Sequence, residues 1–183
     1  LTLVHVFGRG ELYHRDKQVV TSYPTGMHRI TYGEWADRTR RLGGVLDDLG
    51  ISADGRVATF AWNTSRHLEL YFAAPCTGRV LHTLNIRLFP EQLTYIVNHA
   101  NDEVIFIDKS LLGLLSPLFP TFGCVKHLVV MDDTGDGKPL PEWPGVQVYD
   151  YEELLARAKP VEFKVEDENR AAAMCYTSGT TGN

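Results

Sequence analysis

The 183-residue chain is 44% hydrophobic and 22% charged, with a formal net charge of -5, the balance of an ordinary globular domain large enough for a core of its own. That charge, and the lack of any Lys/Arg block, exclude nucleic acid as the main partner, because phosphate backbones are gripped by Lys and Arg. No apolar run approaches the roughly 18 residues that cross a bilayer, and Cys76, Cys124 and Cys175 fit neither a zinc pattern nor a disulfide framework. They read as buried free thiols of a reducing cytoplasm.

Taken in chain order, short apolar runs alternate with amphipathic ones. Strands are predicted at 18–22, 28–31, 57–62, 80–83, 104–108, 128–131, 146–149 and 172–177, several as continuous apolar runs of the kind that both faces of a sheet bury. Thr31-x-x-Glu34 is a capping box, after which Trp35, Thr39, Leu42, Leu46 and Leu49 recur at helical steps until Gly50 ends the helix. A second helix starts near Asn63 or Thr64 and buries Leu68, Tyr71, Phe72 and Cys76; a helix start explains Asn63-Thr64-Ser65 better than a glycosylation acceptor does. A third opens on Pro90 and presents Leu93, Ile96, Val97 and Ala100 on one face. Asp150-x-x-Glu153 marks a further capped start. These stripes read as core packing rather than ligand contact.

Strands separated by helices imply parallel pairing and right-handed crossovers. The expected fold is therefore α/β, a mainly parallel, helix-covered sheet with 57–62, 80–83 and 104–108 buried in it. Residues 1–131 form the main α/β unit, 132–144 a surface loop rich in Gly, Pro and Asp, 145–176 a strand–helix–strand piece, and 177–183 the start of a further loop. His67, His82, His99 and His127 fall in or beside these elements and read as satisfied structural histidines. No pair of carboxylates stands out as an acid/base couple.

The chemistry concentrates at the end. Thr177, Ser178, Gly179, Thr180, Thr181 and Gly182 bring four hydroxyls and two glycines directly after a strand. Ligands of α/β sheets collect at the carboxyl ends of strands, glycines let successive N–H groups form an anion-binding nest, and a hydroxyl can ligate the magnesium that accompanies a nucleotide. On composition alone a flexible Ser/Thr/Gly linker fits as well, and the Walker pattern is not met within the chain.

The order of residues goes further. "CYTSGTTGN", 175–183, resembles the phosphate-loop signature of the AMP-forming adenylate enzymes: acyl-CoA synthetases, luciferases and peptide-synthetase adenylation domains. "ITYGEW" at 30–35 resembles the family's early strand-to-helix motif, and 66–108, with "VLHTLN", "PEQ" and "NHA", is similar to medium- and long-chain fatty acyl-CoA synthetases in particular. Arg79 and Cys76 stand where Ala and Gly are common, in a packing region, which blurs the subfamily and not the family.

The resemblance implies the N-terminal portion of the large AMP-binding domain of a fatty acid–CoA ligase. In that reaction a carboxylate attacks the α-phosphorus of ATP to give acyl-adenylate and pyrophosphate, and the thiol of coenzyme A then displaces AMP. ATP, Mg2+ and coenzyme A are the implied cofactor and co-substrates, and a fatty acid or other carboxylic acid is the substrate. A cytoplasmic protein is implied, with peripheral membrane contact and a homodimer left open. Thr177, Ser178, Gly179, Thr180, Thr181 and Gly182 would grip the ATP phosphates, with Thr177 also meeting the magnesium. The chain starts at Leu1 rather than Met, so both ends of a longer parent are expected to lie outside it. The adenine, ribose and catalytic-lysine parts would then be outside too, and no catalytic residue is named within 1–183. The piece alone is expected to be inactive and to self-associate through an uncovered side of its sheet. The alternatives are another adenylating enzyme, acting on an aryl or amino acid, or a non-catalytic binding or dimerisation module.

Overall fold

The computed structural model describes residues 1–177. Its local structure begins from the caps. Thr31 Oγ1 accepts from the Glu34 amide at 3.1 Å while a Glu34 carboxylate oxygen accepts from the Thr31 amide at 2.7 Å. This reciprocal pair starts α2 (Tyr32–Asp48), which follows α1 (Leu3–Tyr13), β1 (Gln18–Tyr23) and β2 (Gly26–Thr31). Then come β3 (Arg56–Phe60), α3 (Ser65–Cys76), β4 (Val80–Thr83), α4 (Pro90–Ala100) and β5 (Asp102–Asp108). After a 3-10 turn, α5 (Leu112–Leu115) and a second 3-10 turn, the chain makes β6 (His127–Met131), β7 (Gln147–Asp150), α6 (Tyr151–Arg157) and β8 (Ala173–Met174). Thr64 caps α3 and Asp150 caps α6 through side-chain oxygens that accept from His67 and Glu153 amides.

Six strands form one sheet in the order β7-β6-β5-β3-β4-β8, and every neighbouring pair is parallel. Alternate residues face opposite sides, so the two faces can be read along the strands. Val57, Leu81, Val104, Phe106, Val129 and Met131 pack with Leu42 and Leu46 of α2, Leu70 and Ala73 of α3 and Leu155 of α6. On the other face Ala58, Phe60, Ile105, Ile107, Leu128 and Val130 pack with Leu93, Ile96 and Val97 of α4 and with Leu111, Leu115 and Phe119. All seven residues of β5 are buried, which is why that strand shows no polar alternation.

Several expectations are corrected. β1 and β2 pair antiparallel as a separate two-stranded sheet, because Pro24 and Thr25 alone join them and a parallel crossover needs a dozen or more residues. Tyr71 is 42% exposed rather than buried, since α3 turns Leu70, Ala73 and Ala74 to the sheet and leaves Tyr71 on its outer side. β8 is two residues long, against the six predicted at 172–177. Trp62 lies past the end of β3 and is half-exposed. Of the three free cysteines only Cys76 is buried, its thiol pushed up to about 12 by burial; Cys124 is half-buried and Cys175 exposed. α1 was not predicted: Phe7 anchors it, packing 5.0 Å from Trp35, 6.0 Å from Phe72 and 4.9 Å from Phe163. The stretch 132–144 has no regular structure, yet Trp143 within it is buried and stacks on Phe119 at 4.0 Å. β7 follows it and extends the same sheet. Among the described residues no helix is long and apolar enough to cross a membrane.

Candidate functional site

The predicted phosphate loop follows β8. That strand lies parallel to β4 with Leu81 opposite Ala173 and His82 opposite Met174, and the Leu81 amide donates to Ala172 O at 3.1 Å. The chain therefore leaves β8 at the carboxyl end of the sheet, where parallel strands present their loops. Tyr176 then packs its ring 5.4 Å from His82 and 5.8 Å from His99, and its hydroxyl is hydrogen-bonded to His99 Nδ1. Tyr95, one turn earlier on α4, stacks on His99 at 5.2 Å. Thr177 comes next and is exposed. Ser178, Gly179, Thr180, Thr181 and Gly182 lie outside the described residues.

Beside Tyr176 sits a buried hydrogen-bonded pair. His82 and Asp102 are both fully buried, and His82 Nδ1 lies 2.9 Å from each Asp102 oxygen. Burial raises the Asp102 carboxyl above its ordinary range, and His82 works against that rise. The carboxylate accepts, so Nδ1 carries the proton, and Nε2 is buried with no partner among the described residues. The expectation of satisfied histidines thus holds fully for His67. Its Nδ1 donates to Trp62 O at 3.1 Å, its Nε2 meets Thr59 Oγ1 at 3.0 Å, and burial lowers its pKa, favouring the neutral ring. It fails for His82 Nε2 and for His127 Nδ1, another buried nitrogen without a partner among the described residues. A sequence shows that a histidine sits in a strand but not what its second nitrogen faces.

A second polar cluster occupies the carboxyl ends of β3, β5 and β6. The chain crosses from β3 to β4 on one side and from β5 to β6 on the other, so the sheet's topological switch point falls between β3 and β5. There Asp108 Oδ2 accepts from the Trp62 amide at 2.7 Å, Trp62 Nε1 donates to Ser110 Oγ at 3.0 Å, and Ser110 donates from N and Oγ to Asp133 at 2.9 and 2.6 Å. Asp108 Oδ1 is buried with no partner among the described residues. Burial pushes the Asp108 carboxyl up to about 7; the Trp62 amide and Arg66 oppose this, and the Asp133 charge adds to it. Asp133 lies near enough for its charge to act on Asp108, across 25 positions of sequence that leave no local pattern.

Two further charged groups are explained by the fold. In the acidic loop, Lys109 Nζ lies 2.6 Å from Asp136, 3.2 Å from Asp132 and 2.9 Å from Lys138 O, so an ammonium already sits among the carboxylates. Fully buried Glu69 accepts from Arg38 at 2.7 Å and from the Tyr151 hydroxyl, and Glu152 bridges Arg38 and Arg66 at 2.8 and 2.9 Å, tying α2, α3 and α6 together. Burial pushes the Glu69 carboxyl up, with Arg38 and Tyr151 holding against it. Among the described residues no cluster of three His, Cys, Asp or Glu side chains is arranged to hold a metal.

The family model of the AMP-binding enzymes matches residues 9–183. The chain belongs to the AMP-binding enzyme family. It is similar to a 3-methylmercaptopropionyl-CoA ligase of Ruegeria lacuscaerulensis, 43% identical over 173 residues, covering 93% of this chain and 32% of that one. It is 45% identical to a long-chain-fatty-acid–CoA ligase of Thermus thermophilus over 91% of this chain and 29% of that one. The chain thus spans about a third of the length of the curated relatives it matches. Among solved structures, an anthranilate CoA ligase in complex with anthranoyl-AMP superposes with a TM-score of 0.83 at 17% identity, over 100% of this chain and 33% of that one. At that identity the match shows the fold of an AMP-binding enzyme's parallel sheet and nothing finer.

Proposed function

We propose that this AMP-binding chain supplies the opening of the ATP phosphate site in an AMP-forming acid–CoA ligase, acting on a fatty acid or a related small carboxylic acid. The observation that carries the reading is the placement of β8. A two-residue edge strand brings the chain to the carboxyl end of a parallel sheet just before Thr177, and Ser178, Gly179, Thr180, Thr181 and Gly182 follow Thr177 in sequence. The printed names of the relatives support the ligase class, and the fatty-acid ligases among them support the substrate.

Chemically, joining a carboxylate to ATP brings an anion to a polyanion. Donors aimed at the β and γ phosphates lower the barrier by meeting charge that grows as pyrophosphate leaves. Backbone amides at Gly179 and Gly182 and the hydroxyls of Ser178, Thr180 and Thr181 are suited to that task. Thr177, an exposed residue three positions beyond β8, offers the hard oxygen that magnesium takes, and the metal, when bound, would offset phosphate charge. Coenzyme A enters only in the second half-reaction.

The test compares Thr177→Ala and Thr180→Ala in the full-length protein. An exposed hydroxyl contributes roughly 0.5 kcal/mol or less to folding, whereas a lost transition-state donor costs about 3 kcal/mol, on the order of a hundredfold in rate. Adenylation should fall by that factor while thioester formation from pre-formed acyl-adenylate and the melting temperature hold. Equal loss in both halves, or unchanged adenylation, would show that the loop does not grip phosphate.

A further inference from the structure

Register pairing holds β8 to the sheet at only two positions, Leu81 with Ala173 and His82 with Met174. Such a short edge strand cannot by itself fix the direction in which the chain leaves it, because two residues of ladder leave the following dihedrals free. What holds the exit is Tyr176. Its ring packs tilted at 47° against His82 and edge-on to His99, and its hydroxyl is tied to His99 Nδ1. His99 is in turn held on the outer side of α4 by the stacked ring of Tyr95. Beside the ring lies the Asp102–His82 pair, with both side chains fully buried.

That pair is a poor choice for stability alone. Apolar side chains of similar volume serve a buried position as well as a buried polar pair or better, and a buried ring nitrogen without a partner carries a desolvation cost. Among the described residues His82 Nε2 is such a nitrogen. On the same face of the sheet Ala58 and Leu84 are apolar and packed, while Arg56, in register with Asp102, puts a charge near that carboxyl. What the pair does provide is an imidazole held from behind by the contact of Nδ1 with both Asp102 oxygens, a fixed side chain for the tilted Tyr176 ring to pack against.

We propose that His99 and Tyr176, packed on the His82–Asp102 pair, are positioning residues that fix the direction in which the chain passes Thr177 toward the nucleotide phosphates. The claim rests on the phosphate-site reading given above. His99 touches no substrate in it; it acts through Tyr176, one residue before the loop. A ligand-binding loop hung on a short strand needs this, since misplacement of its donors by a fraction of an ångström weakens the contacts that count in the transition state.

The experiment uses the full-length protein with His99→Phe, Tyr176→Phe, the double variant and His99→Asn. Each Phe variant keeps the ring and removes the hydrogen bond, so the adenylation rate should fall about five- to tenfold with a raised KM for ATP. Thioester formation from pre-formed acyl-adenylate and the melting temperature should stay near wild type. His99→Asn, whose amide can meet the Tyr176 hydroxyl in place of Nδ1, should recover most of the rate. The double variant should be no slower than the slower single one, because the two residues act as one contact. Additive losses, equal losses in both half-reactions, or a drop in melting temperature that tracks the loss of rate would overturn the proposal. Thr180→Ala separates the two readings. If it slows adenylation and His99→Phe does not, only the positioning role fails; if it has no effect, the phosphate site itself fails and the positioning role with it.

Discussion

Asp108→Asn should make the protein more stable at alkaline pH and leave it nearly unchanged in acid. The carboxyl is fully buried at the end of the central strand β5, accepts one hydrogen bond from the Trp62 amide, and has its other oxygen unpartnered among the described residues. Its folded pKa is raised from 3.8 to about 7, so the folded state holds the proton more tightly than the unfolded chain does. The resulting stability is fully present below about pH 4 and is lost as pH rises through about 7. At 1.36 kcal/mol per unit, a shift of roughly three units sets a ceiling of about 4 kcal/mol. Asparagine is isosteric, keeps an acceptor for the Trp62 amide and never ionises. Its unpartnered NH2 costs about what the unpartnered O–H of the protonated carboxyl costs, so the two match in acid and the gain at pH 8.5 approaches that ceiling of about 4 kcal/mol. Urea unfolding of both proteins from pH 4 to 8.5 measures it. Asp102 and Glu69, whose pKa values burial also raises, and His67, whose pKa it lowers, contribute equally to both curves and cancel in the difference. The gap should open between about pH 4 and 7 and flatten above 8. Parallel curves would mean that Asp108 titrates as a solvated carboxylate and that its burial does not govern its charge.

Two glycines in helices should respond in opposite ways. Gly44→Ala puts a Cβ 2.2 Å from the backbone oxygen of Lys159 and should destabilise by about 3 kcal/mol or more, because backbone cannot yield as a side chain can; Gly8→Ala in α1 meets nothing within 4 Å and should stabilise by about 0.5–1 kcal/mol, both read from chemical denaturation. Thiol labelling should find Cys175 fast, Cys124 slower and Cys76 reactive only on unfolding, following their exposure and the raised pKa of the buried thiol; Cys76 reacting at the rate of Cys175 in native buffer would contradict the packing of α3.

The strands were legible because strands buried on both faces announce themselves as short apolar runs, and 104–108 and 128–131 were placed within a residue or two of β5 and β6. The helices with caps were legible through Thr31, Glu34, Asp150 and Glu153, whose bonds reach three residues. Where the cause was distant the sequence was silent. α1 contains Gly8, Gly10 and two valines, a weak helix by propensity, and it forms because Phe7 finds Trp35, Phe72 and Phe163. Residues 109–121 contain Gly113, Pro117 and Pro120 and carry no helical period, yet Leu111, Leu115 and Phe119 fold them onto the sheet. At the site, the loop signature was visible as a run of residues. The contact between Tyr176 and His99 spans 77 positions and the Trp62–Ser110 bond spans 48, so neither left a local pattern.

The same distinction explains how β8 comes to lie where it does. β7 and β8 occupy opposite edges of the sheet, so the chain between them must cross one whole face after α6. It crosses over α2. The Val161 amide donates to Arg40 O at 3.1 Å, Arg41 donates to Ala158 O at 3.0 Å, and Phe163 packs with Phe7. The crossing is close because α2 offers Gly43 and Gly44 there. A Cβ on Gly43 would stand 2.7 Å from Val161, and one on Gly44 2.2 Å from Lys159 O. Two glycines inside a helix cost about 1 kcal/mol each relative to alanine, a cost that a helix with only packing to do would not need to carry. They let a strap lie on the helix backbone and reach the β4 edge, where β8 and Thr177 follow. Gly44→Ala should therefore do more than destabilise: by lifting the strap it should disturb the residues after Met174, and variants that restore the melting temperature from elsewhere in the molecule should leave that part of the defect in place.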